Sequence, residues 1–525
     1  MENTIAPPQS TSENNWQERA LRAEALLEDA LKELEYVKAQ VRLLTAKRFG
    51  ASRERTPQEQ PSLFESVFNE AEATYEPFTP EPDLTEVKGY QRKKRKGQRD
   101  ELLQGLPENV IEYHLPEEEI ACPACGHPRH IMSKEIHREL RIVPAEFWVD
   151  VHVQHVYSCR HCEQHGDEPN IVTAPRPQRA IPNSVASPSV VAHIMEQKFV
   201  MGNPLYRQEQ QWERQGVHLS RQTMSNWLLY CAEHWLEPLY HRMKIHLLQR
   251  DIIQADETTL QVLDEAGKAA ESKSYMWLYR SGREGPGIVL YDYQPSRQSC
   301  HPQEFLRGFT GFLQTDGYSG YNQVENVTRV GCWSHARRGF DEAIKASGGK
   351  EKHSKAKEGL EFCNQLFRLE RKWKDLKPPE RYEERLLHSK PVLEAFLAWL
   401  QDTQMGALAK SHLGKAITYC LNQWEALNGF LLDGRLEIDN NRSERSIKPF
   451  VIARKNFLFC ITPKGAQASA ITFSIIESAK ENGLKPFEYL EYVLNQLPNA
   501  TSQALDQYLP WSDTIPDHCR SPKPR

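Results

Sequence analysis

Two kinds of side chain in this 525-residue sequence are spaced for chemistry: carboxylates set on strand-like segments, and cysteines in close pairs. Asp256 lies in Ile252-Ile253-Gln-Ala-Asp256-Glu-Thr-Thr-Leu260-Gln-Val262, and Asp316 closes Gly311-Phe-Leu-Gln-Thr-Asp316. Two carboxylates on neighbouring strands can bridge two Mg²⁺ (or Mn²⁺) ions about 3.5–4 Å apart, and a third acid completes the clamp. Such a clamp serves in-line phosphoryl displacement, one ion activating the attacking oxygen and the other stabilising the leaving oxygen. The third acid should come from a later helix. Leu436-Glu-Ile-Asp-Asn-Asn-Arg-Ser-Glu444-Arg-Ser-Ile-Lys448-Pro449 offers Glu444, on a short helix that Asn440 or Asn441 can cap and Pro449 ends. Glu437 is a nearby competitor. Lys448 falls one turn beyond Glu444 on the same face. Arg442, Arg445, Arg454, Lys455 and Lys464 make the region basic, as a surface holding nucleic-acid backbone must be.

The cysteines imply a different metal. Cys122-Pro-Ala-Cys125 and Cys159-Arg-His-Cys162 form two knuckles, and two thiolates from each complete a tetrahedral Zn²⁺ shell. His127, His130, His161 and His165 could substitute, but four cysteines already suffice. Residues 141–157 between the knuckles alternate like strands. The other cysteines are scattered, and the total of 11 is odd, which argues against a disulfide framework.

The elements that must position these groups follow from periodicity. Strand patterns at 252–262, 275–279 and 288–293 precede a short helix at 302–307, a strand leading to Asp316, a strand at 327–331 and a helix at 334–345. Three strands in meander, then helix, strand, helix, strand and helix, is the order of the ribonuclease H-like α/β fold. That fold carries one acid on its first strand and another near the end of its fourth, the places of Asp256 and Asp316. The core is expected over 250–465, with a helical insertion at about 350–432 and a helical tail at 468–512. Residues 188–245 read as three short helices, the last opening at Ser220-Arg221 after a turn at Gly216. This helix-turn-helix silhouette could read DNA. Heptads with Ala20, Leu27, Leu34 and Val41 at a, and Ala23, Ala30, Val37 and Leu44 at d, predict a coiled coil over 18–50 and self-association. A linker at 51–105 carries the basic run Arg92-Lys93-Lys94-Arg95-Lys96, and a zinc-binding domain spans 110–170. The formal net charge of −5 decides nothing about partners, because positive charge clusters locally. No apolar h-region follows Met1, no window nears the roughly 20 apolar residues of a membrane span, and no Walker-A motif is present. The expectation is a cytoplasmic, nucleoid-associated protein.

Ala255-Asp-Glu-Thr-Thr259, Thr315-Asp-Gly-Tyr-Ser-Gly-Tyr321, Gly331-Cys-Trp-Ser-His-Ala-Arg-Arg338 and Asp439-Asn-Asn-Arg-Ser-Glu-Arg445 resemble the signature blocks of bacterial insertion-sequence transposases. The group they resemble is the DDE family named after insertion sequence sixty-six. Arg48-Phe-Gly50, the cysteine knuckles, Leu205-Tyr-Arg-Gln-Glu209 and Ser220-Arg-Gln-Thr-Met224 are similar to it as well. The resemblance places the catalytic acids at Asp256, Asp316 and Glu444. It implies cleavage of element ends, transfer of their 3′-hydroxyls to target DNA, and small accessory proteins encoded beside the enzyme. Arg221, Arg337, Arg338, Arg445, Lys448, Arg454 and Lys455, with the run 92–96, are the DNA contacts it implies. Cys332 and His335 resemble the Cys-x-x-His pair that several DDE families carry before the glutamate. Gly339, Ala453, Phe457 and Cys460-Ile461 depart from the pattern, and none is an expected metal ligand. The alternatives are a catalytically silent DNA-binding regulator derived from such an enzyme, and a structure-specific nuclease on the same fold.

Overall fold

The computed structural model describes Leu34, Lys38 and residues 146–158, 171–348 and 354–522. Leu34 and Lys38 are helical. The rest of the heptad segment, the basic run 92–96 and all four knuckle cysteines lie outside the described residues. The chain divides into a unit of residues 54–175 and a second unit comprising the remainder. In the first, β1 (Val156–Ser158) pairs antiparallel with β2 (Ile171–Thr173). Residues 146–155 form no strand despite their alternation, which corrects part of the expectation for 141–157. Trp148, Val149, Val151 and Val153 are exposed, so among the described residues no second layer rewards the pattern.

In the second unit, α1 (Pro188–Phe199), α2 (Leu205–Arg214) and α3 (Arg221–Cys231) come first. Ser220 caps α3, its Oγ accepting from the Thr223 N–H at 3.2 Å. Instead of ending near His234, α3 runs through a π-turn (Ala232–Leu236) into α4 (Glu237–Leu248). Met224, Leu228, Cys231, Leu239 and Met243 are buried along this path, which favours one continuous apolar stripe over a break.

Next comes a five-stranded mixed sheet of β3 (Ile252–Gln261), β4 (Lys273–Ser281), β5 (Val289–Gln294), β6 (Gly311–Gln314) and β7 (Val327–Val330). Its order is β5-β4-β3-β6-β7, antiparallel from β3 to β5, with β6 parallel to both β3 and β7. Helix α5 (Cys300–Phe305) precedes β6. Val289 to Tyr293 are all buried, as expected of a strand covered on both faces. Ile253 and Ala255 join one apolar cluster with the flanking helices, whereas Ile252 joins another with the helical insertion. Consecutive β3 residues therefore face opposite layers.

Asp292 sits within this core, and burial pushes its carboxyl up to about 6. The folded state then holds a proton that the unfolded state has released, so stability should fall as pH rises from about 4 to about 6. Asp292→Asn should flatten that slope in urea unfolding; an unchanged slope would remove Asp292 as its source.

The second cluster draws on α6 (Trp333–Ala346), α7 (Lys355–Lys372), α9 (Lys390–Gly406), α10 (His412–Asn422) and α11 (Trp424–Asn428), while α8 (Pro378–Glu384) buries no residue. Gly339 has a packing reason: a Cβ there would meet Ala416 Cβ at 3.1 Å across α6 and α10. Arg385, in a π-turn after α8, is fully buried and grips both Glu370 oxygens at 2.7 Å. It also donates to the carbonyls of Phe430, Asp433 and Leu436 at 2.8–3.0 Å. Arg385→Met leaves Glu370 and three carbonyls without their donor, so unfolding stability should drop by about 3–5 kcal/mol. A urea midpoint equal to wild type would contradict this.

Candidate active site

Strands β3 and β6 place the two aspartates through a buried pair of glutamines. Gln254 lies opposite Gln314 in the parallel register, and its Nε2 donates to Gln314 Oε1 at 2.9 Å. Gln254 also donates to Glu437 Oε2 at 3.3 Å, and Gln314 to the Asp439 carbonyl at 3.1 Å. Side chains two apart on a strand share a face, so Asp256 emerges on the side that Gln254 marks. Asp316 follows just past the end of β6. Its Oδ1 accepts from the Tyr318 N–H at 3.0 Å, and its carbonyl accepts from Arg329 at 3.0 Å.

Glu444 lies in the first turn of α12 (Asn441–Phe457). Asn440, just before that helix, does not cap it with its side chain. Its Nδ2 instead donates to the Ala255 carbonyl on β3 at 2.8 Å, and its backbone N–H donates to Cys332 Sγ at 3.2 Å. Asp439 accepts from the Asn441 N–H at 3.1 Å, and buried Arg280 on β4 donates to the Arg442 carbonyl at 3.2 Å and to Ser446. Arg280 also pairs with Glu481 at 2.9 Å. The helix start is thus tied to β3, to β4 and to the residue that precedes α6. Pro449 does not end α12, contrary to the sequence reading; the helix continues to Phe457. An interior proline costs about 3 kcal/mol. Burial of Ile447, Phe450 and Ala453, with Phe450 edge-on to Phe473, supplies the compensating contacts.

The charges of the other two acids reach Asp256. Burial, then the charges of Glu257 and Asp316, and also that of Glu444, push the Asp256 carboxyl well above the usual carboxylate range. Its Oδ1 accepts from the Glu257 N–H at 2.8 Å. Glu257 is otherwise engaged, accepting from Tyr321 Oη at 2.6 Å and from Arg297 Nε at 2.8 Å. Glu437 pairs with Arg283 and Gln254, so it serves as a brace.

Glu444 lies 3.9 Å from His335 Nδ1 and 3.9 Å from Arg338. Donor atoms of Cys332, His335 and Glu444 lie within 4.8 Å of one another, close enough to share an ion. Burial pushes the Cys332 thiol up to about 12 and lowers the basicity of His335. Glu444 Oε1 and His335 Nδ1 are buried without a hydrogen-bond partner. Uncompensated carboxylates beside open donor atoms fit divalent cations.

The cations that the sequence suggested as DNA contacts fall in several places. Arg445, Lys448 and Lys455 are exposed along α12, and Arg338 is half-exposed on α6. Arg454 donates to the hydroxyls of Thr258 and Thr259 at 3.2 Å, and Arg337 to Asn364 at 2.8 Å. Arg221 is exposed, with its guanidinium over the Tyr206 ring. Arg280 and the glutamine pair went unread, and Asn440 was read only as a helix cap. A signal for the pair was present: glutamine stands two residues before each aspartate, in Gln254-Ala-Asp256 and Gln314-Thr-Asp316.

Four family models match the chain. One described as "Transposase IS66 family" covers residues 183–468, and "IS66 C-terminal element" covers 474–511. "Zinc-finger binding domain of transposase IS66" covers 119–163, and "Transposase C of IS166 homeodomain" covers 37–111. Similar proteins of Sinorhizobium fredii include uncharacterized protein y4jD, 32% identical over 78% of this chain and 81% of its own length. Uncharacterized protein y4qI is 30% identical over 77% of this chain and 75% of its own, and y4hP 28% over 74% and 73%.

Proposed function

We propose, because this chain belongs to the IS66 transposase family, that it cleaves the ends of an insertion sequence and joins the freed 3′-hydroxyls to target DNA. The observation that supports this reading is that the charges of Asp316, just past β6, and Glu444, on α12, both act on the buried Asp256 of β3. The sheet order, three antiparallel strands followed by two added in parallel, supports a ribonuclease H-like core. Divalent cations bound there would supply Lewis-acid stabilisation of the attacking and leaving oxygens. Asp256, Asp316 and Glu444 would hold them, and Asn440 ties the start of α12 to β3. Arg338, Arg445 and Lys448 neutralise phosphates of the bound duplex. Water is the nucleophile in the first step and the 3′-hydroxyl in the second, each attacking phosphorus in line with its leaving oxygen. Cys122, Cys125, Cys159 and Cys162 hold structural Zn²⁺ on this reading, as the matched zinc-finger family suggests. The N-terminal heptads pair two copies of the chain.

Among the described residues, no helix is long and apolar enough to cross a membrane. The test is incubation of the full chain with labelled duplexes taken from the DNA flanking its gene, with Mg²⁺. Joined products are expected. Nicks without joining would make it a nuclease, and binding without Mg²⁺-dependent products would make it a DNA-binding regulator.

A further inference from the structure

We propose that His335 is a metal ligand beside Glu444, adding one nitrogen donor to the carboxylate site, and that Cys332 is not a ligand. The inference rests on the reading of Asp256, Asp316 and Glu444 as a divalent-cation site. Two observations point to it. His335 Nδ1 and Glu444 Oε1 are both buried, and neither has a hydrogen-bond partner. Buried polar atoms are seldom left so, and an orphaned pair facing one another marks a place where something binds.

The spacing says what binds. At 3.9 Å the two atoms are too far apart to hydrogen-bond. Two donors on one ion, each at roughly 2.1 Å, can be up to about 4.2 Å apart, so a cation can bridge them. Asp316 acts on His335 electrostatically as well, which puts the imidazole on the acids' side of α6. Arg338 approaches the other Glu444 oxygen, Oε2, and leaves Oε1 to the ion.

Cys332 has different work. Its Sγ accepts the Asn440 N–H, and the side chain is wholly buried. It therefore joins the start of α12 to the start of α6 and so sets the distance between Glu444 and His335. It is a positioning residue. A nitrogen donor favours a transition ion over Mg²⁺, which prefers all-oxygen shells, so the site should discriminate between Mn²⁺ and Mg²⁺.

The test is pulsed EPR of Mn²⁺ bound to the full chain, with dissociation constants for Mn²⁺ and Mg²⁺ measured in parallel. Wild type should show ¹⁴N modulation from one imidazole, and Asp256→Asn should abolish it by weakening the ion's site. His335→Gln should lose the modulation and bind Mn²⁺ about tenfold more weakly, with Mg²⁺ affinity within about twofold of wild type. Cys332→Ser should keep the modulation. Mn²⁺ bound by wild type without ¹⁴N modulation, or modulation that survives in His335→Gln, overturns the ligand assignment while leaving the carboxylate site standing. If wild type binds no Mn²⁺, the carboxylate site itself is wrong, and the assignment of His335 falls with it.

Discussion

Asp256→Asn should lower metal-dependent strand transfer by about 10³-fold or more and, in the same protein, raise the melting temperature measured without metal. Both effects follow from one geometry. Asp256 is electrostatically strained: burial and the charges of Glu257, Asp316 and Glu444 all oppose its ionisation. Metal-free protein carries that repulsion uncompensated, and an amide of the same shape relieves it. The active protein needs the charge, because a bound cation's Lewis-acid contribution is worth several kcal/mol and each 1.36 kcal/mol is about tenfold in rate. Opposite signs for activity and stability mark a site kept for function. Strand transfer and thermal melting, each with and without Mg²⁺, read both. A variant that keeps near-wild-type transfer removes Asp256 from the chemistry. One that loses transfer but melts lower than wild type indicates a structural role instead.

The second large effect separates two neighbouring glutamates. Glu444→Gln should lower strand transfer by about 10²–10³-fold with little change in folding, since its Oε1 makes no hydrogen bond that the fold depends on. Glu437→Gln should do the reverse. It weakens the pairing with Arg283 and Gln254 and costs about 1 kcal/mol, yet leaves the transfer rate within about threefold. Single-turnover transfer and urea unfolding on both variants decide the matter. If Glu437→Gln loses the activity and Glu444→Gln retains it, the third acid has been misassigned.

Much of the site was legible in the sequence because strands announce themselves by period two and short acidic motifs stay local. The strands of the sheet fall where alternation and turn residues put them. Asp256 and Asp316 were proposed from those strands and the chemistry two carboxylates can share. Alternation misled at 146–155, where a pattern typical of a half-buried strand meets no partner layer. Pro449 misled in the other direction, because its penalty is local whereas the burial of Phe450 and Ala453 depends on strands and helices distant in sequence.

What the sequence determined by itself is the kind of chemistry: carboxylates for divalent cations, paired cysteines suited to zinc, and cations suited to a polyanion. These are properties of residue types at short spacings, and short spacings survive without a fold. Only the tertiary structure separates the surroundings of Glu437 from those of Glu444. Both stand in one short motif, but Glu437 is turned to Arg283 and Gln254, while the charge of Glu444 on α12 acts on Asp256. That difference depends on Asn440 reaching Ala255 and on Arg280 reaching Arg442, contacts across 185 and 162 residues of chain. Local patterns cannot encode such distances. They arise when the sheet and the helices around it bury their apolar faces together.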